Sequence, residues 1–267
     1  MSTETTQNQP SQTTPVAEWE PPLPPTDLIF DDGEPLESNR HRIAINVLIE
    51  LLQQAWSDRD DYFVGGNMFV YYSSSQVRNR DFKGPDFFVV LNADGEKSRQ
   101  GWVAWEEGGR YPDVIIELMS PSTKNIDLGK KKELYERTFR TRGYFVFDPF
   151  DPNSLQGWHL DVNFRYQPLV PNEDGWLWCQ ALGFWLGVWQ GTIQRETAPW
   201  LRFYTQEKDL VFLPEEAEHQ RAETEHQRAE TEHQRAETEH QRAETERQRA
   251  ERLAARLREL GVDPENL

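Results

Sequence analysis

The sequence predicts an α/β protein in which a mixed β-sheet is flanked by helices and followed by a long, charged C-terminal helix. Three observations favour this fold class. Apolar residues recur at helical spacing in two segments, short β-branched and aromatic runs lie between and after them, and a charged seven-residue repeat fills the end of the chain. The order helix, strands, helix, strands indicates a mixed sheet covered by helices rather than a doubly wound sheet or a helical bundle.

Composition predicts one compact domain with polar appendages. Only 36% of the 267 residues are hydrophobic, below the roughly 45–50% of ordinary globular domains, so part of the chain lies outside the core. We expect a disordered Thr/Gln/Pro-rich lead at 1–25, a compact domain at 26–210, a heptad-repeat helix at 215–260 and a short tail at 261–267.

The first predicted helix runs from Glu37 to Trp56, and Ser38 or Asn39 is placed to cap its start. Its apolar residues recur at helical spacing, one to four positions apart: Ile43, Ile45, Val47, Leu48, Leu51, Leu52 and Trp56. The runs FVGGNMFVYYSSS, DFFVVL and DVIIEL that follow are bounded by Gly, Pro, Asn or Ser. These runs are typical of strands of one sheet.

The pattern becomes helical again from Asp127 to about Arg142, with apolar side chains at Leu128, Leu134, Tyr135 and Phe139. We expect this helix to end at Gly143. The run YFVFDP then predicts another strand, and the tryptophan-rich segment 157–190 predicts a β-meander.

The C-terminal segment repeats EAEHQRA and ETEHQRA and contains no proline or glycine from Glu215 to Leu260. A continuous helix roughly 70 Å long is therefore allowed at about 1.5 Å per residue. Two readings stay open, an exposed single helix stabilised by its own Glu–Arg pairs and a coiled-coil dimer. The seam for a dimer is poor, because alanine alternates with Glu or His until Leu253 and Leu260.

Charge and cysteine content limit the classes of function. The net charge of -17 excludes a simple basic nucleic-acid coat. The single cysteine, Cys179, cannot form an intrachain disulfide, which favours a reducing compartment. The start lacks the pattern of a signal peptide, and no apolar run reaches about 18 residues, so we expect a cytoplasmic protein outside the membrane.

Carboxylates stand at the ends of two predicted neighbouring strands. Asp86 precedes one strand in GPDFFVV, and Glu117 lies near the end of the strand in PDVIIELMSPST, which Asp113 begins. Alternation puts Asp113, Ile115 and Glu117 on one face. Two such carboxylates can share a Mg²⁺ ion, for which Mn²⁺ can substitute, and an ion of this kind activates water beside a phosphodiester. Asp113 is a weaker candidate, because a residue after proline commonly caps a strand.

A lysine on the next predicted helix can complete such a site. Lys131 lies three and four positions from Leu128 and Tyr135, along the apolar stripe, and Lys132 lies close to the same face. A lysine near a metal-bound phosphate can orient the attacking water or neutralise the transition state. The alternative is that Lys131 and Lys132 lie on a solvated face of the helix and belong to no site. No serine–histidine triad and no Gly-rich phosphate loop are recognisable.

The chain carries four motifs in this order: GPD, PDVIIELMSPST, the DLGKK run with Tyr135, and GYFVFDP. Together they resemble the motifs of the Uma-type restriction endonuclease family, which belongs to the PD-(D/E)XK nuclease superfamily. The resemblance covers roughly residues 25 to 195. It implies a restriction-endonuclease-like core, Mg²⁺-dependent phosphodiester hydrolysis, and Asp86 and Glu117 as metal ligands.

One position departs from the superfamily pattern, which carries lysine two residues after the acid. Met119 stands there in this chain, and the resemblance instead matches Lys131 from the following helix. Glu37 resembles the additional acid that such nucleases present from an N-terminal helix, although an acid at a helix start is also favoured by the helix dipole.

Two hypotheses follow for function. The first is a Mg²⁺-dependent endodeoxyribonuclease acting on DNA. The second is a non-catalytic scaffold on a nuclease fold that forms oligomers or binds partners through the C-terminal helix. Residues 211–267 hold 15 acids and 9 bases, so the remainder keeps 31 acids and 20 bases, a net charge of -11 that favours the second. Phosphate contacts for the first are offered by a basic cluster: Lys124, Lys130, Lys131, Lys132, Arg137, Arg140 and Arg142.

Overall fold

The computed structural model describes residues 25, 26, 28–30, 36, 38–73 and 84–259. The helices within these ranges are α1 (Asn39–Ala55), α2 (124–139) and α3 (Pro214–Glu259), with a short 3₁₀ turn at Ala104–Glu106. The strands in chain order are β1 (Tyr62–Gly65), β2 (Val70–Tyr71), β3 (Phe87–Leu91), β4 (Trp102–Val103), β5 (Val114–Leu118), β6 (Gly143–Asp148), β7 (Asp151–Leu160), β8 (Tyr166–Pro168), β9 (Leu177–Cys179), β10 (Phe184–Ile193) and β11 (Glu196–Tyr204).

The described residues form a central six-stranded sheet in the order β1-β3-β5-β6-β7-β8. Strands β5 and β6 are parallel and are connected through α2, whereas the other neighbours pair antiparallel. The predicted mixed sheet is therefore confirmed. The predicted meander divides between two sheets, because β7 and β8 extend the central sheet while β9, β10 and β11 form a three-stranded sheet of their own.

The inner strands β3, β5 and β6 of the central sheet are buried on both faces, which explains why they are nearly continuous apolar runs. One face packs against α1 and the three-stranded sheet, and Ile116 belongs to it. The other face packs against α2 and includes Ile115 and Tyr144. Since successive residues of a strand point to opposite faces, Glu117 shares the α2 face with Ile115.

Helix α1 confirms the first helical prediction. Ser38 caps it, because the Ser38 hydroxyl accepts the His41 backbone N–H at 3.3 Å. Its apolar stripe is buried against the central sheet and β11.

Helix α2 differs from the prediction at both ends. It begins at Lys124, before Asp127, and it ends at Phe139. The predicted end at Gly143 is wrong, because Arg140 takes a left-handed conformation with φ 54° that stops the helix, and Gly143 already starts β6. Along its length α-helical turns (Lys124–Ile126 and Lys132–Leu134) alternate with π-helical turns (Asp127–Lys131 and Tyr135–Phe139).

Helix α3 is the long charged helix that the repeat predicts. Pro214 occupies its first position, and the Glu216 carboxylate accepts the Leu213 N–H at 2.8 Å, as in half of a capping box. Glu216 also pairs at 2.6 Å with Arg202, whose side chain is fully buried. Over its described length, Pro214–Glu259, no residue of α3 is buried, and its pairing with another helix stays a prediction.

The predicted lead and tail lie almost wholly outside the described residues, since only residue 25 of the lead is described. No helix in the described part of the chain is long and apolar enough to cross a membrane.

Candidate active site

Strand register brings Asp86 and Glu117 together. Phe87 of β3 lies opposite Ile116 of β5, so the residue just before β3 is level with Glu117 on the neighbouring strand. Leu118 donates its backbone N–H to the Asp86 carboxylate at 2.7 Å, and the Asp86 N–H lies 3.4 Å from Glu117 Oε2. The predicted pair of carboxylates on neighbouring strands is therefore adjacent in the structure.

Helix α2 presents a column of side chains to Glu117. Lys131 Nζ lies 3.0 Å from Glu117 Oε2 and 3.0 Å from Asp127 Oδ1. The Tyr135 hydroxyl donates to Glu117 Oε1 at 2.7 Å. These residues follow one another at intervals of four, beginning at Asp127.

The alternation of turns in α2 explains why this spacing forms a column. An α-helix has 3.6 residues per turn, and a π turn has more because its hydrogen bonds span five residues, so the mixture averages about four. Residues Asp127, Lys131, Tyr135 and Phe139 consequently stay aligned, and all but the partly exposed Lys131 are buried.

Burial sets the protonation of this cluster. Glu117 is 0% exposed, and this burial raises the pKa of its carboxyl. The positive charge of Lys131 opposes the rise, and the negative charge of Asp127 adds to it. Burial alone would lower the pKa of Lys131, but Glu117, Asp127 and Asp86 outweigh it and raise the pKa, so the ammonium form persists. Burial and the Glu117 charge also raise the pKa of Tyr135 well above its usual value, which keeps the phenol as a hydrogen-bond donor.

The carboxylate oxygens of this cluster are the type of donor that a hard divalent cation takes. Three carboxylates, Asp86, Glu117 and Asp127, face one ammonium, so two negative charges remain uncompensated within the cluster when all are ionised. Asp127 Oδ1 is buried and accepts no hydrogen bond from any described residue, although Lys131 is near. Within the described ranges, no group of three or more His, Cys, Asp or Glu side chains is placed to hold a metal ion. Mg²⁺ needs only one or two carboxylates and retains waters, and Asp86 and Glu117 would hold it.

Asp113 lies apart from this cluster. It lies directly before β5 and four residues before Glu117, which separates the two by about 13 Å along the chain. Its carboxylate accepts the Leu91 N–H at 2.8 Å and pairs with Arg142 at 3.3 Å. This is the capping role that its position after proline allows.

Two other candidates also stand outside the cluster. The Lys132 ammonium lies 3.6 Å from the centroid of the Trp158 ring of β7. Lys132 therefore points toward β7 and away from Glu117. Glu37 lies outside the described residues.

Asp127 and His41 are the residues at the site that the sequence did not single out. His41 is buried in α1, with Nε2 at 3.4 Å from the Met119 carbonyl oxygen and Nδ1 at 2.9 Å from the Ser38 hydroxyl. The start of α1 therefore abuts the chain two residues after Glu117. A lone histidine on an apolar helix face gives no sign of this contact in the sequence. Asp127, in contrast, could have been recognised by its four-residue spacing from Lys131.

The predicted basic cluster is partly occupied by protein contacts. Arg137 pairs with Glu133, Arg142 pairs with Asp113, and Arg140 lies over the Phe164 ring. Lys124 and Lys130 are exposed, and the described residues offer neither of them an ion pair. These are the cations on α2 most accessible to phosphate.

Comparison with known proteins shows that the chain is similar to a protein family and to solved structures. The family described as "Uma2: Putative restriction endonuclease" matches residues 18–193, about two thirds of the chain. No curated protein matches. A crystal structure from Anabaena variabilis ATCC 29413, titled as "a putative nuclease belonging to DUF820", is 14% identical, with a TM-score of 0.40 over 60% of this chain and 86% of that one.

Proposed function

The chain belongs to the Uma2 family, and from this premise we propose that it is a Mg²⁺-dependent endonuclease that hydrolyses phosphodiester bonds of DNA. Membership assigns a function of the restriction-endonuclease type. The observation that supports the finer proposal is the contact of Lys131 with the buried Glu117 carboxylate, beside Asp86. An acid pair that can hold a cation, with one ammonium beside it, is a set of groups that can support metal-assisted phosphodiester hydrolysis.

Each residue has a separate role in this proposal. Asp86 and Glu117 would hold the cation, which would supply a Lewis acid and a more acidic water. Tyr135 fixes one oxygen of Glu117 through its 2.7 Å hydrogen bond, so the other oxygen is directed toward Lys131. Lys131 donates a hydrogen bond to the attacking water or to a phosphate oxygen, where negative charge develops.

Plasmid cleavage with Mg²⁺ or Mn²⁺ tests the proposal. Glu117→Gln preserves the shape of the side chain and should lower the rate by at least about 10²-fold, the effect of removing one group that stabilises transition-state charge. Asp113→Asn is the matched control, since Asp113 is a partly buried carboxylate of the same strand outside the cluster, and it should cut like the wild type. Equal cutting by wild type and Glu117→Gln, or no cutting by the wild type, would refute the proposal.

The chain as a whole is acidic, which makes salt a second test. Non-specific DNA affinity falls with salt at a slope of about -0.9 for each phosphate contacted. Lys124 and Lys130 are exposed α2 cations without an ion pair among the described residues. We therefore expect a slope near -2 for the wild type and a slope closer to zero when both lysines are replaced by glutamine. A slope unaffected by that double replacement would place DNA elsewhere on the protein.

A scaffold is the second candidate, favoured by the exposure of α3 along all of Pro214–Glu259. A helix without a buried face gains little stability from packing on its own domain, and it offers a long surface to a partner. A chain ending at Gln220 removes most of the repeat but keeps the Arg202–Glu216 pair that anchors the helix start. The molar mass in solution, divided by the mass of one chain, gives the number of chains per particle. If this number is the same for the truncated and the full-length protein, the coiled-coil dimer is refuted.

A further inference from the structure

Lys131 is shared between two carboxylates, and only one of them belongs to the proposed metal ligands. Its ammonium lies 3.0 Å from Glu117 Oε2 and 3.0 Å from Asp127 Oδ1. We propose that Asp127 is a positioning residue that retains Lys131 when a divalent cation binds Glu117. This inference rests on the proposed function, and it concerns a residue that the metal itself need not touch.

Electrostatics favours the release of Glu117 by Lys131 in the metal-bound protein. A divalent cation on Glu117 repels an ammonium that is held at the same carboxylate, and the repulsion is strong because the site is buried. Without another partner, Lys131 either competes with the metal for Glu117 or leaves the site. In the second case its ammonium is lost to the chemistry.

Asp127 is suited to hold the ammonium. Its side chain is 1% exposed, and Oδ1 accepts no hydrogen bond within the described part of the chain. The Tyr144 hydroxyl donates to the Asp127 backbone carbonyl at 2.8 Å, which fixes this turn of α2. Because Nζ already lies near both carboxylates, Lys131 needs to give up one contact and improve the other, without a rearrangement of the helix.

The cation relieves the rest of the charge imbalance. With Lys131 assigned to Asp127, the remaining carboxylates Asp86 and Glu117 carry the two negative charges that a divalent cation neutralises. The three acids and two cations then balance. Asp127 therefore contributes to metal affinity through Lys131, by removing a competitor from Glu117.

Mn²⁺ binding, followed by the electron paramagnetic resonance signal of the free ion, tests the inference without reference to cleavage. Asp127→Asn should weaken Mn²⁺ binding about tenfold, since Lys131 then keeps its charge-assisted hydrogen bond to Glu117. Lys131→Met should bind Mn²⁺ at least as tightly as the wild type. The double variant should bind like Lys131→Met, because the competitor is absent. Lys131→Gln serves as a second replacement if Lys131→Met fails to fold by circular dichroism.

The other outcomes overturn the inference in different ways. A double variant as weak as Asp127→Asn would make Asp127 a direct metal ligand. An Asp127→Asn protein with a lowered melting temperature but wild-type Mn²⁺ affinity would make it a structural residue only. Asp113→Asn should leave Mn²⁺ affinity unchanged, and a loss there equal to that in Asp127→Asn would show a non-specific effect of acid removal. A wild type that binds no Mn²⁺ would overturn the metal in the proposed function as well.

Discussion

Replacing Glu117 by glutamine should stabilise the metal-free protein at neutral pH while it abolishes cleavage. Glutamine has the shape of the protonated glutamate and can still accept the Tyr135 hydrogen bond. It removes a carboxylate that is 0% exposed and close to two other acids, Asp86 and Asp127. The raised pKa of Glu117 means that burial and repulsion outweigh the attraction of Lys131, so ionised Glu117 disfavours folding.

The sign and size of the effect follow from linkage. Below the ordinary pKa of 4.5 the carboxyl is protonated in both the folded and the unfolded chain, and it imposes no penalty. As the pH rises from there through the folded-state pKa, the wild type loses stability relative to Glu117→Gln. Above the folded-state pKa the loss is about 1.4 kcal/mol for each unit of pKa shift, equivalent to about 3–6 °C in Tm for a chain of this size.

Thermal unfolding in EDTA between pH 4 and pH 8 measures this difference. We expect the Tm of Glu117→Gln to match the wild type near pH 4 and to exceed it increasingly up to the folded-state pKa. Mg²⁺ should then narrow the gap by stabilising the wild type alone. Glu223→Gln, on exposed α3, is the control and should show no pH-dependent gap. A Glu117→Gln protein less stable than the wild type at pH 7.5, or a gap that does not change with pH, would refute the reasoning.

Three further predictions concern single contacts. Tyr135→Phe removes a hydrogen bond that lowers the pKa of Glu117, so the acid limb of the cleavage rate against pH should move to higher pH; an unmoved limb would contradict this role. Glu216→Gln leaves the buried Arg202 without its carboxylate and should cost about 3 kcal/mol in urea unfolding, and a cost below about 1 kcal/mol would show that the pair is screened. Arg195→Gly should add about 0.5–1 kcal/mol in the same assay, because Arg195 has φ 67° in a two-residue turn; a loss of stability would reveal a role for its side chain.

The parts of the fold that depend on local pattern could be predicted from the sequence. Helix α1 follows from the spacing of its apolar residues and the Ser38 cap, and α3 follows from its repeat. Asp86 and Glu117 could be selected because each lies at the end of an apolar strand, where an unpaired acid is costly. Their adjacency needed one further fact, the register of β3 on β5, which periodicity does not specify.

The parts that depend on tertiary contacts could not be predicted. The π turns of α2 change the helical phase, so the 3.6-residue period put Lys132 near Lys131, whereas the structure turns Lys132 toward Trp158. The contact of His41 with the Met119 carbonyl joins residues 78 positions apart, and nothing in either local sequence indicates it. Alternation predicts Asp113 on the face of Glu117, but sharing a face does not bring the two ends of a strand together.

In the proposed site, Lys131 takes the place of the lysine that the superfamily pattern carries where this chain has Met119. Residues 117 and 119 of a strand point to one face, so the superfamily's lysine would approach the acid along the strand. Met119 is instead fully buried in the cluster with Ile115 and Tyr144, and the mixed turns of α2 bring the Lys131 ammonium to 3.0 Å from Glu117. The chemistry depends on where the nitrogen lies relative to the acid and not on which element carries it. A methionine at this position is therefore compatible with the proposed catalysis, which Glu117→Gln and Asp127→Asn test at the proposed site.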